Sequence, residues 1–208
     1  MRANVYIDGF NLYYGALKPL PNCKWLDLDA LCRRLLPRDE IHRIRYFTAL
    51  VSARPHDPQQ PVRQQVYIRA LETIPHLTVH YGTYKTRTAS MPLARPRPGH
   101  KTARVRKTEE KGSDVNLATY LLLDAFKRDC EVAVVISNDA DLKEPIALTQ
   151  TELGIPVGVI NPHPPHKRSR DIKPAFFKQI RESALRTCQF PTVMRDAKGD
   201  IHRPANWS

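Results

Sequence analysis

The chain has 208 residues, 41% of them hydrophobic, which is enough for one domain with a real core and a short appended segment. No apolar run approaches the roughly 18 residues needed to span a membrane. The N-terminus enters a strand directly, without a secretory signal, so a soluble, cytoplasmic protein is expected. The 33 Lys+Arg against 21 Asp+Glu leave a net charge of +12, which points to a polyanionic partner, nucleic acid before others.

In chain order, residues 3–8 are predicted as a buried strand around Val5-Tyr6-Ile7, ended by Gly9 and followed by a helical turn from Asn11. Leu26–Leu36 places Leu28, Leu31 and Leu35 on one helical face, and Pro37 stops it. Ile44–Val51 reads as a strand, Val62–Ile74 as a helix and Leu77–Tyr84 as a third strand. Residues 85–112 break the pattern with nine basic residues (Lys85, Arg87, Arg95, Arg97, Lys101, Arg104, Arg106, Lys107 and Lys111) and read as a long basic loop. Ser113 is the expected N-cap of a helix over Asp114–Arg128. There follow a strand at 132–137, a helix from Asp141 to Glu152 and a strand at Pro156–Ile160. A Pro/His/Arg loop over 161–171, a helix at Ala175–Leu185 and an irregular tail over 186–208 complete the chain. Strands alternating with helices predict an α/β fold with a mainly parallel sheet. The four cysteines, Cys23, Cys32, Cys130 and Cys188, have no metal-ligand spacing and read as free thiols.

Two acidic motifs each follow a buried strand, where open α/β sheets build their sites. In Asp8-Gly-Phe-Asn11, Gly9 allows a sharp turn, while Asp8 and Asn11 either face a site or satisfy backbone donors. In Ser137-Asn-Asp-Ala-Asp141, one acid can cap the next helix, but not both; Asp139 is expected in the crevice and the Ser137 hydroxyl on a phosphate. Asp114, in a first helical turn, is favoured there by the helix dipole whatever its function. Glu109 and Glu110 read as a solvated pair. If the two motif strands are neighbours, their carboxylates converge and repel unless a cation binds them. In the 161–171 loop, Lys167 and Arg168, with His163, His166 and Arg170, enlarge the positive surface.

Taken together, Tyr6-Ile-Asp8-Gly-Phe-Asn11-Leu-Tyr, Glu110-Lys-Gly-Ser-Asp114-Val-Asn-Leu-Ala and Ser137-Asn-Asp-Ala-Asp141-Leu resemble the NYN domain, a branch of the PIN-like metal-dependent nucleases, over residues 1–185. The resemblance implies a three-layer PIN-like (Rossmannoid) fold with strand order 3-2-1-4-5. It makes Asp8, Asp114 and Asp139 ligands of Mg²⁺ or Mn²⁺, with Asn11 and Asp141 beside them in the catalytic set. Many relatives carry a further acid near the position of Thr119-Tyr120; here the next acid is Asp124, ten residues from Asp114 and about 280° round the helix, off that face. The expected activity is metal-dependent ribonucleolysis giving a 5′-phosphate and a 3′-hydroxyl, with DNA as a further possible substrate. Phosphate contacts are expected from Lys101, Arg104, Arg106, Lys107, Lys111, Lys167 and Arg168. The rival readings are an RNA-binding module of the same fold and a metal phosphohydrolase of small esters.

Overall fold

A computed structural model describes residues 1–97 and 99–207; Pro98 of the expected loop and Ser208 of the expected tail lie outside the described residues, as does the Arg97 side chain. Its centre is a six-stranded sheet in the order β3 (Leu77–Tyr81), β2 (Glu40–Thr48), β1 (Arg2–Asp8), β6 (Val132–Ile136), β7 (Val157–Asn161), β8 (Phe176–Gln179). Every neighbouring pair is parallel. The two strands that carry the acidic motifs therefore lie side by side at the middle of the sheet.

Alternation along β1 divides the core. Together with Leu12 of the short α1 (Gly9–Leu12), Ala3, Val5 and Ile7 join the cluster under α2 (Leu28–Leu35), α3 (Gln60–Leu71) and α6 (Glu182–Thr187). Tyr6 joins Leu117, Leu121 and Ala125 of α4 (Ser113–Phe126) and Ile146 of α5 (Lys143–Thr151) on the opposite face. Helices thus cover both faces, which is why β6 and β7 are buried at every position. Among the described residues no helix is long and apolar enough to cross a membrane, and the four cysteines are buried and unbridged.

The structure departs from the sequence reading in five places. The strand order differs from the five-strand expectation, because β8 adds a sixth strand at the β7 edge and two more strands intervene after β3. Those two form an antiparallel hairpin, β4 (Thr83–Arg97) with β5 (His100–Lys111), where a structureless loop was expected. Among its described residues neither hairpin face is buried in the body, so no apolar alternation marks it; β-branched Thr and Val and mutual backbone pairing suffice. The expected helix at 175–185 is split: Phe176–Gln179 pairs with β7, and α6 starts only at Glu182. Gly112, at φ 101°, rather than Ser113, holds the N-cap of α4, a conformation L side chains seldom adopt. The C-terminal segment also has order, as the hairpin β9 (Val193–Asp196) and β10 (Gly199–His202). Its Ile201 is buried with Phe190 in the first core, and the Trp207 ring packs 6.3 Å from that of Trp25.

Asp124 has a structural role. It lies in the last turns of α4, about 15 Å along the helix from Asp114, and is 3% exposed. Arg45 of β2 grips it with two bonds of 2.7 and 2.8 Å, and the Tyr6 hydroxyl donates a third at 3.0 Å. The same guanidinium lies 4.4 Å over the Tyr120 ring. His80 stands beside it, its pKa lowered to about 4 by burial and by Arg45. Asp124→Ala leaves a buried arginine and a buried phenol without their acceptor, and should cost about 3–5 kcal/mol in urea unfolding. A loss below about 1 kcal/mol would mean that this pair does not anchor α4.

Candidate metal centre

Asp8 ends β1, Asp114 opens α4 and Asp139 follows β6. Each offers a carboxylate oxygen, and the three oxygens lie within 4.8 Å of one another. Parity explains the convergence: Asp8 shares the face of Tyr6, the face against which α4 packs. Asp8 is 4% exposed, and burial pushes its pKa up to about 6, with Asp114 and Asp139 adding like-charge repulsion. The Asp114 pKa is raised too, by burial first and then by Asp139 and Glu110. Each pair repels on the order of 3 kcal/mol at an effective dielectric near 20. An all-oxygen donor set with uncompensated negative charge fits a hard divalent cation such as Mg²⁺ or Mn²⁺.

Hydrogen bonds fix the acids in place. Asp8 accepts the Asn11 N–H at 2.9 Å and the Ser137 hydroxyl at 3.0 Å. Asn11 does not cap the following helix; its Oδ1 accepts the Asn138 N–H at 2.9 Å and ties the first motif to the third. Ser137 is 1% exposed and also accepts the Asp139 N–H, so its hydroxyl is committed and not free for a phosphate. Asp139 is the cap after β6, accepting the Asp141 N–H, whereas Asp141 is exposed and outside the cluster, near enough to raise the Asp114 pKa. Asn138 binds the Lys167 carbonyl and the Ser169 N–H, which draws the 161–171 loop against the site. Lys167 is exposed there, and the Arg168 guanidinium stacks 3.5 Å from the centre of the Phe177 ring.

The hairpin separates the predicted basic residues into two sets. Its register puts Tyr84, Glu110, Thr86, Thr108, Arg106 and Arg104 on one face, and Lys85, Glu109, Arg87 and Lys107 on the other. Tyr84 and Glu110 line the acid crevice, so the Arg104 and Arg106 face is its continuation. On the far face Glu109 pairs with Lys107, Arg87 and Lys111 and neutralises part of their charge; Lys101 alternates onto that face.

The sequence reading passed over several residues of the crevice. Glu110, taken as solvated, accepts from both N–H and hydroxyl of Ser113. Phe10, Tyr14, Tyr84 and His163 complete the walls. A Cβ at Gly15 would come 2.7 Å from the His163 ring, so glycine is what admits the imidazole. Phe10 and Glu110 lie within the quoted motifs and His163 within the basic loop, but nothing local places them, or Tyr14 and Tyr84, at the crevice, which they reach from the hairpin base, the first helical turns and the β7–β8 loop.

The NYN domain model matches residues 2–180. Over 237 aligned residues the chain is 30% identical to the 6-hydroxy-3-succinoylpyridine 3-monooxygenase HspA of Pseudomonas putida (strain DSM 28022 / S16), covering 100% of this chain and 75% of that protein. A crystal structure of a protein of unknown function from Vibrio parahaemolyticus RIMD 2210633 superposes with a TM-score of 0.52 at 16% identity, covering 87% of this chain and 94% of that one. That likeness concerns the fold alone.

The raised pKa of Asp8 makes a pH prediction with a definite sign. The folded state holds this proton more tightly than the unfolded chain, so the contribution to stability is full below the ordinary carboxylate range. It is lost as pH rises through about 6. Metal-free wild type should therefore lose stability relative to Asp8→Asn between about pH 4 and 6. At pH 7, Mg²⁺ or Mn²⁺ should raise the wild-type melting temperature and leave that of Asp8→Asn nearly unchanged. Parallel melting curves for the two proteins across this range would count against the cluster.

Proposed function

The chain belongs to the NYN domain family, and we propose that it is a divalent-cation-dependent nuclease that hydrolyses RNA phosphodiester bonds. The observation that carries this reading is the convergence of Asp8, Asp114 and Asp139 within 4.8 Å, in a protein of net charge +12. These three residues would hold Mg²⁺ or Mn²⁺, which when bound supplies Lewis-acid stabilisation of phosphoryl charge and lowers the pKa of water. The remaining work falls to the chain itself. Ser137 and the Asn11 N–H orient Asp8, and Asn11 sets the distance between the two motifs through Asn138. Arg104 and Arg106, alternating with threonine hydroxyls, face a phosphate backbone leading to the crevice, and Lys167 and Arg168 meet it from the other side. Cleavage would leave a 5′-phosphate and a 3′-hydroxyl. DNA is the competing polymer, since no group in the site is assigned to a 2′-hydroxyl.

A second reading is chemistry on a small heteroaromatic compound. It is favoured by the 30% identity to a monooxygenase named for a succinoylpyridine, and by an aromatic cavity that shares Phe10 and Tyr14 with the acid crevice. Incubation with labelled single-stranded RNA and DNA, in Mg²⁺, Mn²⁺ or EDTA, separates the two. Metal-dependent cleavage of RNA is expected, reduced more than about a hundredfold by Asp139→Asn, with binding retained. Equal cleavage by wild type and Asp139→Asn would sink the assignment.

The two faces of the hairpin give a separate test. Arg104→Ala with Arg106→Ala should flatten the slope of log affinity against log salt by roughly 1.4, at about 0.7 per phosphate contact on single strands. Lys85→Ala with Lys107→Ala should change it less, because Glu109 lies on that face. Fluorescence anisotropy with labelled RNA reads both slopes. A larger effect from the lysine pair would place the strand on the opposite face.

A further inference from the structure

Beside the carboxylates lies a cavity of about 130 Å³, with Phe10 and Tyr14 as walls common to both. Its other walls include the rings of Tyr13, Tyr46, Tyr67 and Trp207. These rings are braced before any ligand arrives. Tyr67 stands 6.5 Å from Tyr46 and 5.9 Å from Trp207, and its hydroxyl donates to the Leu26 carbonyl. A Cβ at Gly9 would come 2.7 Å from the Tyr46 hydroxyl, so that ring is seated directly on the first turn after β1. The volume is close to the roughly 150 Å³ of an engineered cavity that admits benzene, so it suits one six-membered ring and is small for a purine.

The polar groups of the cavity are unbalanced toward positive charge. Its carboxylate, Asp57, is taken by Arg63. Lys24 is half-buried, forms no ion pair among the described residues, and sits 5.7 Å over the Tyr13 ring. Burial and the neighbouring Arg63 both work against its charge, a penalty that an anion would relieve. Gln60, also in the wall, keeps a buried Oε1 that accepts no hydrogen bond among the described residues.

We propose that this cavity binds one six-membered heteroaromatic ring bearing an anionic group, the ring held among the tyrosines and the anion at Lys24. Two sources share that chemistry. One is a pyrimidine nucleotide of the strand whose neighbouring phosphate enters the acid crevice, and this source rests on the nuclease reading. The other is a free pyridine carboxylate, and it does not.

The test uses the full chain in EDTA, so that the acid cluster holds no cation. Uridine 5′-monophosphate, adenosine 5′-monophosphate, 6-hydroxypyridine-3-carboxylate and inorganic phosphate are titrated in turn. Binding is followed by calorimetry and by tryptophan fluorescence, with Trp207 in the wall as reporter. The uridine nucleotide or the pyridine carboxylate should bind at least about tenfold more tightly than phosphate and than the adenosine nucleotide. Tyr13→Ala and Lys24→Met should each weaken that binding by about tenfold. If Tyr13→Ala melts early, Lys24→Met decides alone. Preference for the nucleotide identifies the strand as the source, and preference for the carboxylate identifies a small molecule. Absence of ring binding, phosphate bound as tightly as either ring compound, a purine bound as tightly as the pyrimidine, or insensitivity to both variants overturns the proposal. RNA cleavage without ring binding would remove this site and leave the nuclease reading intact; ring binding without cleavage would do the reverse.

Discussion

Three carboxylates that repel one another have to be held together in the absence of a cation, and much of the fold serves that constraint. Asp8 is fixed by the central strand, and Asp139 by the turn that it caps. Asp114 sits on a helix, which repulsion would push off the sheet. What holds α4 down is at its other end: Asp124, gripped by Arg45 and Tyr6, with Leu117 and Leu121 packed between the two acids. The arrangement places one aspartate of α4 where charge is compensated and the other where it is not. Only the second is available to a cation.

The acidic motifs also act on each other. Asn11 belongs to the first by sequence, yet its side chain serves the backbone of the third. Ser137 belongs to the third and serves Asp8 of the first. The two strand ends are thereby fixed relative to each other by short bonds rather than by sheet pairing alone. Asn138 extends the same network to the 161–171 loop, so a basic segment and an acidic crevice are joined through one side chain.

Opposite charges are kept apart on this protein by geometry. The acids lie in a crevice at the carboxyl ends of β1 and β6, while arginine and lysine occupy a hairpin and a loop that rise on either side. In the proposed reading a polyanion would meet the cations along its backbone and the carboxylates at one phosphate. The hairpin presents its cations as a two-faced ribbon, since strand alternation turns every second residue away from the crevice. The aromatic walls next to the acids add an apolar surface that a phosphate alone would not need.

Asp114 entered the candidate set only through the resemblance to the NYN domain, whereas the parallel α/β class, the two motif-bearing strands and the acids Asp8 and Asp139 at their ends were legible in the residues themselves. These rest on short-range signals: apolar runs buried on both faces, a glycine after a strand and acids at strand ends, each legible within a few residues. The sequence did not reveal that 85–112 is a hairpin, because strands with two solvated faces carry no apolar period. Nor could it divide Phe176–Gln179 from α6, since Phe176, Phe177, Ile180 and Ala184 suit a helix as well as an edge strand. Tertiary structure decided that Asp124 pairs with Arg45, that Ser137 serves Asp8 rather than a ligand, and that Tyr84, Glu110 and His163 line the crevice. Those residues are brought together across tens of positions in the chain, and such contacts depend on which elements pack side by side, a property that no local pattern of residues encodes.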